Sequence, residues 1–74
     1  MPAEANDIHV DLGPLLAERG MTLTDLAAQV GVTQVNLSIL KNGRAKAIRF
    51  STLTSLCKVL QCQPGDLLTY RPPD

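Results

Sequence analysis

LTDLAAQVGVTQVNLSILKNG, residues 23–43, decides how this chain is read. Apolar residues fall at Leu23, Leu26, Ala27 and Val30, the spacing of one helical face. Thr22-Leu23-Thr24-Asp25 approximates a capping box, with Asp in place of the usual Glu. Gly31 can take the left-handed conformation that reverses the chain. Thr33 is again a capping residue, so a second helix starts at Gln34 and runs to about Lys41, where Asn42-Gly43 ends it. The stretch is therefore two short helices joined by a tight turn.

Helical rotation of about 100° per residue sorts the second of these helices into faces. Leu37, Leu40 and Asn36 fall on one side. Gln34, Val35, Ser38 and Asn42 fall on the other, with Ile39 at that face's edge. Leu37 and Leu40 are the inward anchors. The outward face is short, uncharged and able to hydrogen-bond, whereas a merely solvated helix face carries Lys and Glu. Two short helices about a glycine-containing turn match the helix-turn-helix unit. Ala27 is small where the helices approach each other, and Val32 plugs the corner between them.

The flanks supply the rest of a small domain. Ile8, Val10 and Leu12 alternate with His9 and Asp11, as in a short strand whose His9 points away from the buried face. Residues 12–19 place Leu12, Leu15, Leu16 and Ala17 on a helix, with Asp11 as N-cap, Pro14 tolerated in the first turn and Gly20 as the stop. Residues 43–49, GRAKAIR, form a basic loop. Phe50, Leu53, Leu56, Cys57 and Leu60 then make another stripe, with Ser51 as its cap and Phe50 counted with the core. Gln63-Pro64-Gly65-Asp66 opens a last helical turn, from which Leu67 and Leu68 fall inward. An extended segment follows, and the strand at 8–10 is its natural partner. The expected fold is all-α: five short helices, with a two-stranded antiparallel sheet formed by the chain ends. The expected domain is 8–71, with a leader at 1–7 and a tail at 72–74.

A chain of 74 residues with 45% hydrophobic content accommodates one domain. With one Phe, one Tyr and no Trp, its interior must be aliphatic. No apolar run reaches bilayer length and no signal peptide is evident, so a cytoplasmic protein without a membrane segment is expected. Cys57 and Cys62 lack the further ligands a metal site needs, His9 being the lone histidine. They read as small, partly buried hydrophobes, with redox sensing as the alternative. No cofactor or small-molecule ligand is expected. The chain offers no Ser-His-Asp or Cys-His set, no phosphate-cradling glycine loop and no paired carboxylates, so an enzyme is not expected.

Net charge is zero, yet its distribution is uneven. No acid lies between Asp25 and Asp66, while Lys41, Arg44, Lys46, Arg49 and Lys58 do. A local patch of one sign matters more than the total at distances near a Debye length.

The run LAAQVGVTQVNLSILKNGRAKAIRFSTLTSLCKVLQCQPGDLL resembles the Cro/C1-type (Xre-like) helix-turn-helix regulators of bacteria and phages, in particular a compact single-domain subgroup. LKNG-x-AKAIRF and CQPGDLL carry the likeness beyond the central motif. The resemblance implies a lambda-repressor-like bundle whose third helix, about 33–41, lies in the DNA major groove. Thr33, Gln34, Val35, Ser38 and Ile39 would then meet bases, and Thr22, Lys41, Asn42, Arg44 and Lys46 would sit near phosphates. The side-chain chemistry agrees. Gln suits the adenine edge, apolar Val and Ile suit thymine methyls, and helix N-termini at Thr22 and Thr33 offer N–H groups to phosphate. A dimer is expected, because one reader covers one half-site; the terminal strands or the last helix are candidate dimer surfaces. Three positions depart from the pattern. Leu23 replaces a frequent phosphate-binding Gln, Lys41 a frequent acid, and Gln61 a frequent Gly, so mild strain is expected at that corner. The alternative is a protein-interaction module or antitoxin-like subunit with the same fold, for which the apolar Val35 and Ile39 would be a contact patch.

Overall fold

A computed structural model describes residues 7–72; the expected leader therefore lies outside the described residues except for Asp7, and so does most of the tail. The order is β1 (Ile8–Val10), α1 (Leu12–Glu18), α2 (Leu23–Val30), α3 (Gln34–Lys41), α4 (Phe50–Leu60), α5 (Pro64–Leu67) and β2 (Leu68–Tyr70). Five helices and one small sheet are present among the described residues, as expected. The strands pair antiparallel, with Ile8 opposite Tyr70, His9 opposite Thr69 and Val10 opposite Leu68. The Arg71 N–H donates to the Asp7 carbonyl at 2.8 Å, one step beyond the ladder.

The core is nine leucines and Ala27. Leu12, Leu15 and Leu16 come from α1, Leu26 and Ala27 from α2, Leu37 and Leu40 from α3, Leu56 and Leu60 from α4, and Leu67 from α5. No polar side chain among the described residues is buried with them. α2 packs against both α3 and α4, and α1 packs against α3. Such aliphatic packing stabilises through burial alone, at about 1.5–3 kcal/mol per buried leucine.

Four helices end in one way. A residue with positive φ follows each, at Gly20 (58°), Gly31 (82°), Gly43 (74°) and Gln61 (55°). The next N–H then reaches back across the turn. Met21 donates to the Leu16 carbonyl, Val32 to Ala27, Arg44 to Ile39 and Cys62 to Cys57, at 3.0–3.2 Å. This Schellman closure satisfies carbonyls that have no partner within the helix and brings two side chains together across the turn. Three of the four left-handed residues are glycine, which adopts that conformation without steric cost. Gln61 is the exception, the corner where strain was expected; its Nε2 donates to the Lys58 carbonyl at 3.1 Å.

Several expectations are corrected. Asp11 occupies the cap position of α1 but makes no side-chain capping bond. Its carboxylate instead accepts from Thr69 Oγ1 at 3.1 Å and from Arg71 Nη2 at 2.9 Å. Sheet pairing brings those donors alongside, and the charged guanidinium is a stronger partner than a backbone amide. Ser51 does not cap α4, because the helix already begins at Phe50 and Arg49 holds the cap position. Phe50 is 84% exposed, not core. It is the first residue of α4, so the helical stripe it shares with Leu53 overshoots the partner helices. Ala17 is exposed on α1, and Ile8 is exposed because the two-stranded sheet covers little of it.

Candidate nucleic-acid interface

The helix-turn-helix is positioned by its caps. Thr22 Oγ1 accepts from the Asp25 N–H, and Thr33 Oγ1 accepts from the Asn36 N–H, each at 3.1 Å. Both hydroxyls keep a proton to donate outward, so capping does not exclude a contact with an anion. Gly31 and Val32 turn the chain, and Val32 packs part-buried against the core at the corner. Leu37 (0% exposed) and Leu40 (8%) then set the rotation of α3. With those two inward, Val35 is 68% exposed, Ile39 39%, Thr33 and Gln34 are exposed, and Ser38 is half-buried. Asn42 Nδ2 donates to Ser38 Oγ at 3.3 Å, which joins two residues of this outer face.

The cations divide between the two flanks of α3. On one flank, the Arg44 N–H bond to the Ile39 carbonyl folds the basic loop back against the helix. An open cleft of about 490 Å³ results, lined by Asn36, Ile39, Arg44, Lys46, Arg49 and Thr52 among others. On the other flank, Lys41 lies beside the start of α1, where a Cβ placed at Gly13 would meet its Cε at 3.7 Å. The structure thus brings Ile39, Arg44 and Lys46 together and sets Lys41 apart from them. Thr22, Lys41, Asn42, Arg44 and Lys46 are all exposed.

Two residues of this region were not in the expected set. Asn36 was placed with Leu37 and Leu40 on the inward side, but it is exposed and lines the cleft. At about 100° per residue it stands roughly 70° from the direction midway between the two leucines, at the border of the buried face. Arg49 holds the cap position of α4 through its backbone, makes no side-chain capping bond, and lines the same cleft as a third cation beside Arg44 and Lys46. Leu23, at the position where the family resemblance implies a phosphate-binding Gln, is half-buried against the core.

Comparison with known proteins identifies the family and the fold. Residues 12–73 match the model of the Cro/C1-type HTH DNA-binding domain. The uncharacterized HTH-type transcriptional regulator YozG of Bacillus subtilis (strain 168) is 58% identical over 64 residues, which is 86% of this chain and 76% of that protein. The crystal structure of the transcriptional regulator VanUg, Form II, superposes with a TM-score of 0.74, covering 99% of this chain and 97% of that one; at 24% identity it shows a shared fold. No helix among the described residues is long and apolar enough to cross a membrane. With its helix-turn-helix, its cationic cleft and a family match over most of its length, the chain belongs to the Cro/C1-type helix-turn-helix family of DNA-binding transcriptional regulators, which are not enzymes.

Proposed function

We propose that residues 8–71 form a single reading unit that binds operator DNA sequence-specifically, with α3 in the major groove, and that it does so as a homodimer in the cytoplasm. The observation that carries this reading is the rotation of α3 by Leu37 and Leu40, which leaves Gln34, Val35 and Ile39 exposed and Ser38 half-exposed on one side, with Gln34 and Val35 in the turn that Thr33 caps. Gln34 would donate to and accept from an adenine edge, and Val35 and Ile39 would meet thymine methyls. Thr33 and Ser38 would add hydroxyl contacts to bases. Thr22, Lys41, Asn42, Arg44 and Lys46 would hold phosphates on the two sides of the groove, the cations contributing the salt-dependent share of affinity. Two copies related by a two-fold axis would read half-sites about one helical turn apart. Occupying a promoter in this way blocks polymerase or recruits it.

Selection of bound duplexes from a random pool tests the reading. The expected result is an enriched motif with two related half-sites, bound with steep salt dependence. Failure to enrich any motif, with the pure protein folded, would overturn it. The exposed apolar pair Val35 and Ile39 also fits a protein contact in an interaction module. Gln34→Ala with Ser38→Ala separates the two: loss of DNA binding with fold intact supports reading, whereas retained DNA binding points to the protein contact.

A further inference from the structure

We propose that Cys57 and Cys62 are a reversible oxidative modification site, a dithiol that a peroxide converts into an intramolecular disulfide across the α4–α5 turn. The site is independent of the DNA-reading face.

The geometry comes from the end of α4. Gln61 is left-handed at φ 55°, and the N–H groups of Gln61 and Cys62 both donate to the Cys57 carbonyl, the latter at 3.1 Å. The Schellman closure makes the side chains before and after the turn neighbours; Ala27 and Val32 occupy the equivalent positions at the end of α2. Here both positions carry sulfur. A disulfide needs Cα atoms about 4.4–6.8 Å apart and Cβ atoms that face each other. The direct backbone hydrogen bond from Cys62 to Cys57 draws the two residues together across the turn, as a disulfide requires.

Access is also provided. Both cysteines are free and only partly buried. They line an open groove of about 540 Å³, with Phe50, Leu53 and Pro64 among its walls. A small oxidant reaches the sulfurs from that side.

The chemistry balances as follows. One thiolate attacks the O–O bond of hydrogen peroxide, becoming a sulfenic acid as hydroxide departs. The second thiolate attacks the sulfenic sulfur and expels its oxygen as hydroxide. Two thiols and one peroxide become one disulfide and two waters; the sulfurs lose two electrons and the peroxide gains them.

The surroundings set the pace. Burial pushes the Cys62 thiol pKa up, and the charge and hydrogen bond of Cys57 and the Asp66 carboxylate push the same way. The Arg19 guanidinium, docked on the Leu60 and Gln61 carbonyls, pulls it down but does not prevail. A weakly ionised thiol attacks slowly. The site therefore responds to sustained rather than brief peroxide exposure, and faster as pH rises.

The test uses the full chain treated with hydrogen peroxide, alkylated and digested with trypsin. Cleavage after Lys58 separates the cysteines into peptides 50–58 and 59–74. The expected result is a cross-link between those two peptides, loss of two hydrogens from the intact mass, a monomer on a non-reducing gel and full reversal by dithiothreitol. The oxidised chain should also melt at a higher temperature than the reduced one. Cys57→Ser and Cys62→Ser should each give sulfinic acid or intermolecular dimer instead. Wild-type protein that yields only separately oxidised cysteines or intermolecular disulfides would overturn the proposal, as would an oxidised chain that melts lower.

Discussion

Asn42 and Ser38 are joined across one turn of α3, the Asn42 Nδ2 donating to the Ser38 Oγ at 3.3 Å. The Ser38 hydroxyl thus accepts from within the protein and has its own proton left to give. The bond restrains both side chains, and restraint of that kind lowers the entropy lost on binding. Gln34→Ala is expected to cost about 1–3 kcal/mol of operator affinity, roughly five- to 150-fold. Ser38→Ala should cost less than Gln34→Ala, and most of its loss should be confined to one base position. Fluorescence anisotropy with operator and scrambled duplexes checks this. An equal loss on both duplexes would remove Gln34 from the base-reading set.

Phosphate contacts answer to salt rather than to sequence. Arg44→Ala should lower the slope of log affinity against log salt by about 0.9. Arg49→Ala is expected to do the same, because both guanidinium groups border the cleft beside Ile39. Affinity should fall by a similar factor for operator and non-operator DNA. Titrations at several salt concentrations provide the slope, and an unchanged slope for Arg49→Ala would return that residue to the solvated loop.

What could be read from the residues alone was what neighbours in sequence determine. Thr22 and Thr33 as caps, Gly31 as the reversal, and Leu37 with Leu40 as the inward pair all depend on partners within a turn or two. The errors arise where the deciding partner is remote. Asp11 is claimed by Thr69 and Arg71 at the far end of the chain, and no local pattern announces that. Arg19 has no sequence signature for docking on the carbonyls that end α4. Phe50 keeps the helical spacing of Leu53 and Leu56 and still projects into solvent, because periodicity gives a direction but not whether anything lies in that direction. The same limit applies to the interface. The outward face of α3 followed from its leucines, whereas the division of its cations into an Arg44–Lys46–Arg49 flank and a Lys41 flank depends on how the basic loop folds back.

Leu37 tests how far the reading face depends on the core. It is fully buried, and truncation of such a leucine to alanine costs about 2–5 kcal/mol. A domain of this size has roughly 4–11 kcal/mol in total, so Leu37→Ala should be partly unfolded near 37 °C. Urea denaturation followed by circular dichroism measures the loss. Gln34→Ala, on the exposed face, should stay within about 0.5 kcal/mol of the parent.

Alkali should act on Cys62. Its pKa is raised above the ordinary 9.0, first by burial and then by Cys57 and Asp66, against the opposing pull of Arg19. A raised thiol pKa means that folding favours the protonated form. The associated stability is present below the unfolded-state pKa and is lost as pH rises through the folded-state value. Alkylation of Cys62 in the folded chain should therefore still be accelerating above pH 9.0, where an ordinary thiol is already levelling off. Peptide mapping after timed alkylation separates it from Cys57, and a plateau below that pH would contradict the shift.

Gln61 is the one non-glycine residue among the described residues with positive φ, at 55°. A side chain in the left-handed region costs roughly 1–2 kcal/mol, which glycine avoids while adding freedom to the unfolded chain. Gln61→Gly also gives up the exposed Nε2 bond to the Lys58 carbonyl. The balance should leave the variant about 0.5 kcal/mol more stable. Gln61→Val should lose about 1 kcal/mol instead, since a β-branched side chain fits this conformation worst and makes no bond to Lys58. Neither change lies near α3, so operator affinity should stay constant while the unfolding midpoint moves in opposite directions. If Gln61→Gly proves less stable than the parent, the side-chain bond to Lys58 outweighs the backbone strain at this corner.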